Sequence, residues 1–201
     1  MKNTGHGRIV LDLCGGSGSW SEPYRLAGYD VRLITLPKFD VRTYQIPEYP
    51  EGIHGILAAP PCTHFSLART TAKSERDFKG ALEIVNACLR IVAEARLEGS
   101  LQWWALENPV GYLRQFIGIP GFTFNPYDFG DPWTKPTDLW GYFGRPQFNY
   151  CRPEGGENIA KVKLRSIAQS LTIGRQLRLK SADVWAITPP GFAQAFFKAN
   201  P

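Results

Sequence analysis

The sequence predicts an α/β fold, a mixed sheet that carries helices on both of its faces. Short apolar runs typical of buried strands alternate with segments of helical periodicity, which is the pattern of βαβ units. Glycines follow the first of these runs, and reactive or acidic side chains follow two later ones. The chain has 201 residues, the size of one domain, so we expect a single domain over residues 1–201.

The amino-terminal elements predict one βαβ unit. The apolar run at 9–11 indicates a strand, and the glycine cluster at 15–18 indicates a tight turn directly after it. Residues 21–27 can form a short helix that ends at Gly28. The apolar residues 31–36 predict a second strand, which a proline stops.

The next elements repeat this alternation. Residues 56–59 form a third apolar run that two prolines interrupt, and residues 78–97 show the clearest amphipathic helix. Cys88 lies on the apolar face of that helix, where we expect an inert, buried small side chain. Residues 103–106 predict another buried strand, and residues 139–143 a late antiparallel one.

Composition excludes several classes of protein. The hydrophobic fraction of 43% and the charged fraction of 20% are ordinary for a globular protein, and no run is apolar long enough to cross a bilayer. The start of the chain lacks the apolar core of a signal peptide. The four cysteines form no close pairs of the metal-binding type, so we expect no metal and a reducing, cytoplasmic setting.

The charge distribution is basic and uneven. The formal net charge of +5 favours a polyanionic partner. Between 161 and 180 the chain carries six cations and no carboxylate: Lys161, Lys163, Arg165, Arg175, Arg178 and Lys180. Two interpretations stay open for this cluster, a solvated face and a patch that contacts phosphates.

Three features carry the chemistry, and each follows a predicted strand. Glycines 15–18 allow a close approach of the backbone to a cofactor, although they do not fit the dinucleotide pattern G-x-G-x-x-G and a plain tight turn stays an alternative. Pro60 and Pro61 fix the backbone before Cys62 and present its thiol beyond the sheet edge, as suits a nucleophile. Glu107 follows the next strand of the predicted sheet, where its carboxyl could face that thiol; a surface or capping carboxylate is the alternative.

The same segments resemble motifs of the DNA cytosine-5 methyltransferases, in the same order and at similar spacing. Residues 12–18 (DLCGGSG) resemble the cofactor loop of that family, residues 60–66 (PPCTHFS) its nucleophile motif, and residues 107–109 (ENP) its Glu-Asn-Val. Residues 125–132 are similar to the stretch that precedes a Gln-x-Arg-x-Arg segment, of which only Lys135 keeps a cation here. The resemblance covers about residues 8–145, with a looser similarity at 188–193, and is strongest to short, phage-associated members.

The resemblance implies the Rossmann-like fold of methyltransferases that use S-adenosylmethionine, and methyl transfer to C5 of cytosine in DNA. In this scheme Cys62 adds to C6 of the ring, and Glu107 holds the ring and supplies a proton, with Lys135 as the remaining cation of the catalytic set. Because a duplex hides C6 inside the base stack, the target base would be flipped out.

The resemblance also implies a cofactor-binding set, in which Asp40 accepts a hydrogen bond from the adenine amine. Two members depart from the family pattern. Leu36 replaces the acid that binds the ribose hydroxyls, and Cys14 replaces an aromatic residue. The whole implied set is Asp12, Cys14, Gly15, Gly16, Gly18, Leu36, Asp40 and Pro60.

The carboxyl-terminal part is too short for a separate domain that reads DNA sequence. A short basic segment near 145–184 stands where the family inserts its target-recognition region. We therefore expect low sequence specificity, or a partner protein that supplies recognition. Two other functions stay open: cytosine methylation of RNA or of another acceptor, and a non-catalytic nucleic-acid-binding module that keeps the fold.

Overall fold

The computed structural model describes residues 7–49, 52–67, 74–131, 134–149 and 187–201. Within these ranges the chain is α/β, with one six-stranded mixed sheet in the order β2-β1-β3-β4-β6-β5. β1 to β4 are mutually parallel, and β6 runs antiparallel to both of its neighbours. The strands are β1 (Ile9–Leu13), β2 (Asp30–Ile34), β3 (Ile53–Ala58), β4 (Trp103–Pro109), β5 (Phe122–Phe124) and β6 (Thr137–Tyr142).

Helices cover both faces of the sheet, as the sequence predicts, and the arrangement is compatible with a Rossmann-like fold. The helices are α1 (Glu22–Leu26), α2 (Phe78–Leu97), α3 (Arg114–Ile117) and α4 (Pro190–Ala199), and Pro126–Phe129 forms a 3₁₀ helix. All five residues of β1 are buried, because helices pack on both sides of it. Leu11 belongs to the core under α2, whereas Val10 belongs to the core under α1 and α4.

The carboxyl-terminal helix α4 completes the second face through aromatic packing. The ring of Phe196 lies 5.4 Å from that of Trp20 and 5.7 Å from that of Trp103. The hydroxyl of Tyr24 in α1 donates a 2.8 Å hydrogen bond to the carbonyl of Asn200. Full burial of a side chain such as Phe196 contributes about 1.5–3 kcal/mol, so these contacts hold α4 firmly on the sheet.

Most predicted elements are confirmed. Where their boundaries differ from the prediction, contacts with other parts of the structure determine the residue at which the element ends. The helix predicted over 78–97 has the same bounds in α2. The second strand is predicted over 31–36, but β2 ends at Ile34. It ends there because the Thr35 carbonyl accepts a hydrogen bond from the Phe39 amide and so begins a turn. The strand predicted over 103–106 continues to Pro109, because its last three residues pair with the antiparallel strand β6.

Several features lie outside these predictions or outside the described residues. β5, α3 and α4 were not predicted from the sequence. The basic cluster between 161 and 180 lies outside the described residues, as does Cys151, and of the segment near 145–184 only 145–149 is described. None of the helices in the described ranges combines the length and the apolarity that a membrane span requires.

Candidate active site

The register of the sheet brings the predicted site residues to one edge. Ile34, Leu13, Ala58, Leu106 and Trp140 are consecutive register partners across five strands, so they form one row. Neighbouring strands lie about 4.8 Å apart. Residues that follow this row in the four parallel strands therefore meet above the same edge, where ligand sites of open α/β sheets form. Because β6 is antiparallel, the residues that precede it in the sequence lie at that edge.

A pocket of about 410 Å³ opens at this edge. It contains the three predicted catalytic residues together with most of the predicted cofactor-binding set. Its walls are formed by Asp12, Cys14, Gly15, Gly16, Ser17, Trp20, Leu36, Ala59, Pro60, Pro61, Cys62, Glu107, Pro109, Lys135, Ile187 and Thr188.

The glycine turn forms the wall that follows β1. Cys14 has φ +59°, and Gly16 and Gly18 have φ +54° and +73°, so three residues adopt the left-handed region that glycine tolerates best. The Cys14 amide still donates to the Ile34 carbonyl at 2.9 Å, and this bond anchors the first residue of the turn to the sheet. The turn thus reverses the chain directly above β1 and exposes its backbone to the pocket.

Asp12 supplies a buried carboxylate beneath this turn. The Ser21 hydroxyl donates a 2.6 Å hydrogen bond to its Oδ2, while Oδ1 is buried and has no hydrogen-bond partner among the described residues. Burial raises the pKa of Asp12 to about 7, which the Ser21 hydrogen bond opposes. Gly15 leaves room for this carboxylate, because a Cβ atom at that position would overlap it unless the Asp12 side chain shifted.

The loop that bears Cys62 is held at both ends. Before the cysteine, the Asn108 side-chain amide donates a 2.9 Å hydrogen bond to the Pro60 carbonyl. After it, the Tyr112 amide donates a 2.9 Å bond to the Phe65 carbonyl. A Cβ atom at Gly111 would overlap that same carbonyl, so glycine permits this close approach. The Cys62 thiol is therefore presented by a fixed loop, as a nucleophile requires.

Cys62, Glu107 and Lys135 form a charged cluster inside the pocket. The Lys135 Nζ lies 3.7 Å from the Glu107 Oε1, and the two side chains are only 19% and 15% exposed. Burial raises the pKa of the Cys62 thiol; the charge of Lys135 acts in the opposite direction, and Glu107 raises that pKa further. The cluster thus combines a thiol, a carboxylate and one cation that favours the thiolate.

Two residues of the predicted cofactor-binding set are not among the described residues that line the pocket. Gly18 instead closes the turn, where its amide donates to the Gly15 carbonyl at 2.9 Å. The Asp40 carboxylate forms a 2.6 Å ion pair with Arg42, although it lies near enough to Cys14 to disfavour that thiolate. The role expected for Asp40, a hydrogen bond accepted from the adenine amine, stays a prediction.

The structure adds site residues that sequence reasoning missed. Asn108 fixes the Cys62 loop; the resemblance of ENP to Glu-Asn-Val includes this residue, but the sequence analysis gives it no role. Trp20 lines the pocket just after the glycine turn. The Thr188 amide donates a 2.9 Å hydrogen bond to the Ser19 hydroxyl, which brings the carboxyl-terminal segment to the rim of the pocket.

No group of three or more His, Cys, Asp or Glu side chains in the described part of the chain could hold a metal ion. Comparison with protein-family models and with curated protein sequences finds no match to this chain.

Proposed function

We propose that the protein transfers a methyl group from S-adenosylmethionine to C5 of cytosine in DNA. The observation that carries this proposal is that Cys62, Glu107 and Lys135 line the same pocket as the glycine turn. A methyl donor and a methyl acceptor must meet within bonding reach. Adjacent parallel strands, β1 and β3, carry the proposed donor side and the proposed nucleophile, and this adjacency supports that meeting.

The pocket has properties that suit S-adenosylmethionine. Its volume of about 410 Å³ lies in the range of small-molecule sites, and its walls combine apolar side chains with a few polar groups. The unpartnered Oδ1 of Asp12 suits a donor such as the ammonium group of the cofactor. Cys14, Gly15, Gly16, Leu36 and Pro60 would complete the binding wall. When bound, the cofactor supplies an electrophilic methyl group on a sulfonium.

The proposed chemistry uses the charged cluster. The Cys62 thiolate adds to C6 of cytosine, which makes C5 a carbon nucleophile. Glu107 donates a proton to the ring nitrogen as the thiolate adds, and C5 then takes the methyl group. Loss of the C5 proton to a base, return of the ring-nitrogen proton to Glu107 and elimination of the thiolate release 5-methylcytosine. Lys135 favours the thiolate before attack, and its Nζ lies 3.7 Å from the Glu107 Oε1.

The acceptor is proposed to be DNA because the chain is basic and because the side chains that would act on the base are mostly buried. The net charge of +5 favours a polyanion. Glu107 and Lys135 are mostly buried, so a base must leave its stack to reach them. A partner protein that supplies sequence recognition is compatible with this proposal.

Mass spectrometry of nucleosides tests the proposal. DNA and RNA are incubated separately with the protein and labelled S-adenosylmethionine, and Cys62→Ala is the matched control. Labelled 5-methylcytosine from DNA, absent with the variant, is the expected result. Label found only in RNA would show that the acceptor is RNA and would contradict the proposal for DNA. No label in either polymer would favour a nucleic-acid-binding module without turnover.

A further inference from the structure

Two thiols meet at the wall of the pocket, and neither forms or breaks a bond in the proposed reaction. Ile9, Leu11 and Leu13 alternate along β1 and belong to the core under α2. Strand alternation would turn the next side chain to the other face. Because Cys14 has φ +59°, this alternation breaks, and Cys14 packs against the same core as Leu13.

Cys88 lies in that core. It is fully buried on the inner face of α2, as the sequence predicts, and it shares a side-chain hydrogen bond with Cys14. This neighbour could not be predicted from the helical pattern. The two cysteines differ in access, because Cys14 is partly exposed and lines the pocket whereas Cys88 has no exposed surface.

The two thiols also differ in acidity, and the more accessible Cys14 is the more acidic one. The hydrogen bond from Cys88 lowers the pKa of Cys14, and this effect exceeds the opposing effects of burial and of the nearby carboxylates. The same hydrogen bond, together with burial, raises the pKa of Cys88. Cys14 is therefore the thiol that an oxidant meets first, and Cys88 is the neighbour that can resolve it.

We propose that Cys14 and Cys88 form an oxidative modification site that peroxide converts to an intrachain disulfide. The Cys14 thiolate attacks one peroxide oxygen, the O–O bond breaks, and a sulfenic acid and water result. The Cys88 thiol then attacks the Cys14 sulfur, forming the S–S bond and releasing a second water. Two thiols are oxidised and one hydrogen peroxide is reduced to two waters. The product would tie the glycine turn to α2.

Peptide mapping tests this site, and the result does not depend on what the pocket binds. The reduced full-length protein is treated with hydrogen peroxide, free thiols are blocked with iodoacetamide, and the protein is digested with trypsin without reduction. Trypsin separates all four cysteines into different peptides. We expect a Cys14–Cys88 cross-linked peptide that dithiothreitol removes, and a reversible rise in Tm of about 5 °C.

Two variants make the outcome specific. Cys62→Ala should keep the cross-link, because the proposed site does not involve that thiol. Cys88→Ala should lose both the cross-link and the gain in Tm, while Cys14 becomes trappable as a sulfenic acid by dimedone. A cross-link from Cys14 to Cys62, over-oxidation of Cys14 without any cross-link in the wild type, or retention of both thiols in reduced form would each overturn the proposal.

Discussion

The Lys135 ammonium lies 3.7 Å from the Glu107 carboxylate, inside the pocket that also contains Cys62. This pair joins two segments that are distant in the sequence. Glu107 lies near the end of β4, and Lys135 lies just before β6. The two charges have opposite effects on the pKa of the Cys62 thiol, because Glu107 raises it and Lys135 lowers it. Substitutions in the pair should therefore separate thiol acidity from turnover.

Glu107→Gln should lower methyl transfer by about 10² or more, because the amide keeps the shape of the carboxyl and cannot supply its proton. Since Glu107 raises the pKa of Cys62, the same variant should increase the rate at which iodoacetamide alkylates Cys62. Single-turnover kinetics and peptide mass mapping measure the two effects. Glu22→Gln, at an exposed position in α1, is the control and should change neither rate. Parallel losses of turnover and of thiol reactivity would indicate that Glu107 is structural.

Lys135→Met should have the opposite effect on the thiol. The cation favours the Cys62 thiolate, so its removal raises the thiol pKa and moves the rising limb of the alkylation rate to higher pH. We expect alkylation of Cys62 at pH 7 to slow by on the order of threefold or more. Lys135→Arg keeps the charge and should stay close to the wild type. An unchanged pH profile in the Met variant would show that Lys135 does not act on Cys62.

Asp12 should make the stability of the fold depend on pH. Its folded pKa of about 7 exceeds the ordinary value of 3.8, so its stabilising contribution is complete below about pH 4 and is lost as the pH rises through 7. The loss is on the order of 4 kcal/mol in the free energy of unfolding. Asp12→Asn should remove this dependence.

Urea denaturation from about pH 4 to about pH 8 checks the effect of Asp12. The wild type should lose free energy of unfolding relative to Asp12→Asn as the pH increases. Asp131, whose pKa burial raises to about 6, titrates in both proteins and therefore cancels in the difference. A difference that is constant over this range would show that Asp12 is already ionised in the folded protein.

Sequence specificity should be low for the protein alone. The 40 residues from 145 to 184 contain eight Lys or Arg and three Asp or Glu, and phosphate contacts position a protein without specifying sequence. Bisulfite sequencing of treated plasmid should give a context of about two to three base pairs or fewer. Binding should weaken at least about tenfold between about 50 and about 200 mM salt. Methylation confined to a defined site of about five or more base pairs would contradict this expectation.

The sequence predicts the chemistry-bearing residues of the site better than their surroundings. The apolar runs and α2 are local patterns, and the residues after three of the runs meet because parallel strands end at one edge. The extension of β4 to Pro109 depends on pairing with β6, which no local pattern encodes. The contact of Cys14 with Cys88 depends on one positive φ angle, and the pairing of Asp40 depends on the rotamer of Arg42. The first two features are tertiary contacts, whereas the third is a local choice of side-chain rotamer.

A covalent trap tests the central proposal most directly. DNA that contains 5-fluorocytosine is incubated with the protein and S-adenosylmethionine, and denaturing electrophoresis and peptide mapping follow. After thiolate addition and methyl transfer, fluorine cannot leave C5 as a proton does, so the adduct should persist and map to Cys62. Cys88→Ala should still form the adduct, and Cys62→Ala should not. A protein that methylates cytosine without any adduct, or an adduct at another residue, would contradict the proposed role of Cys62.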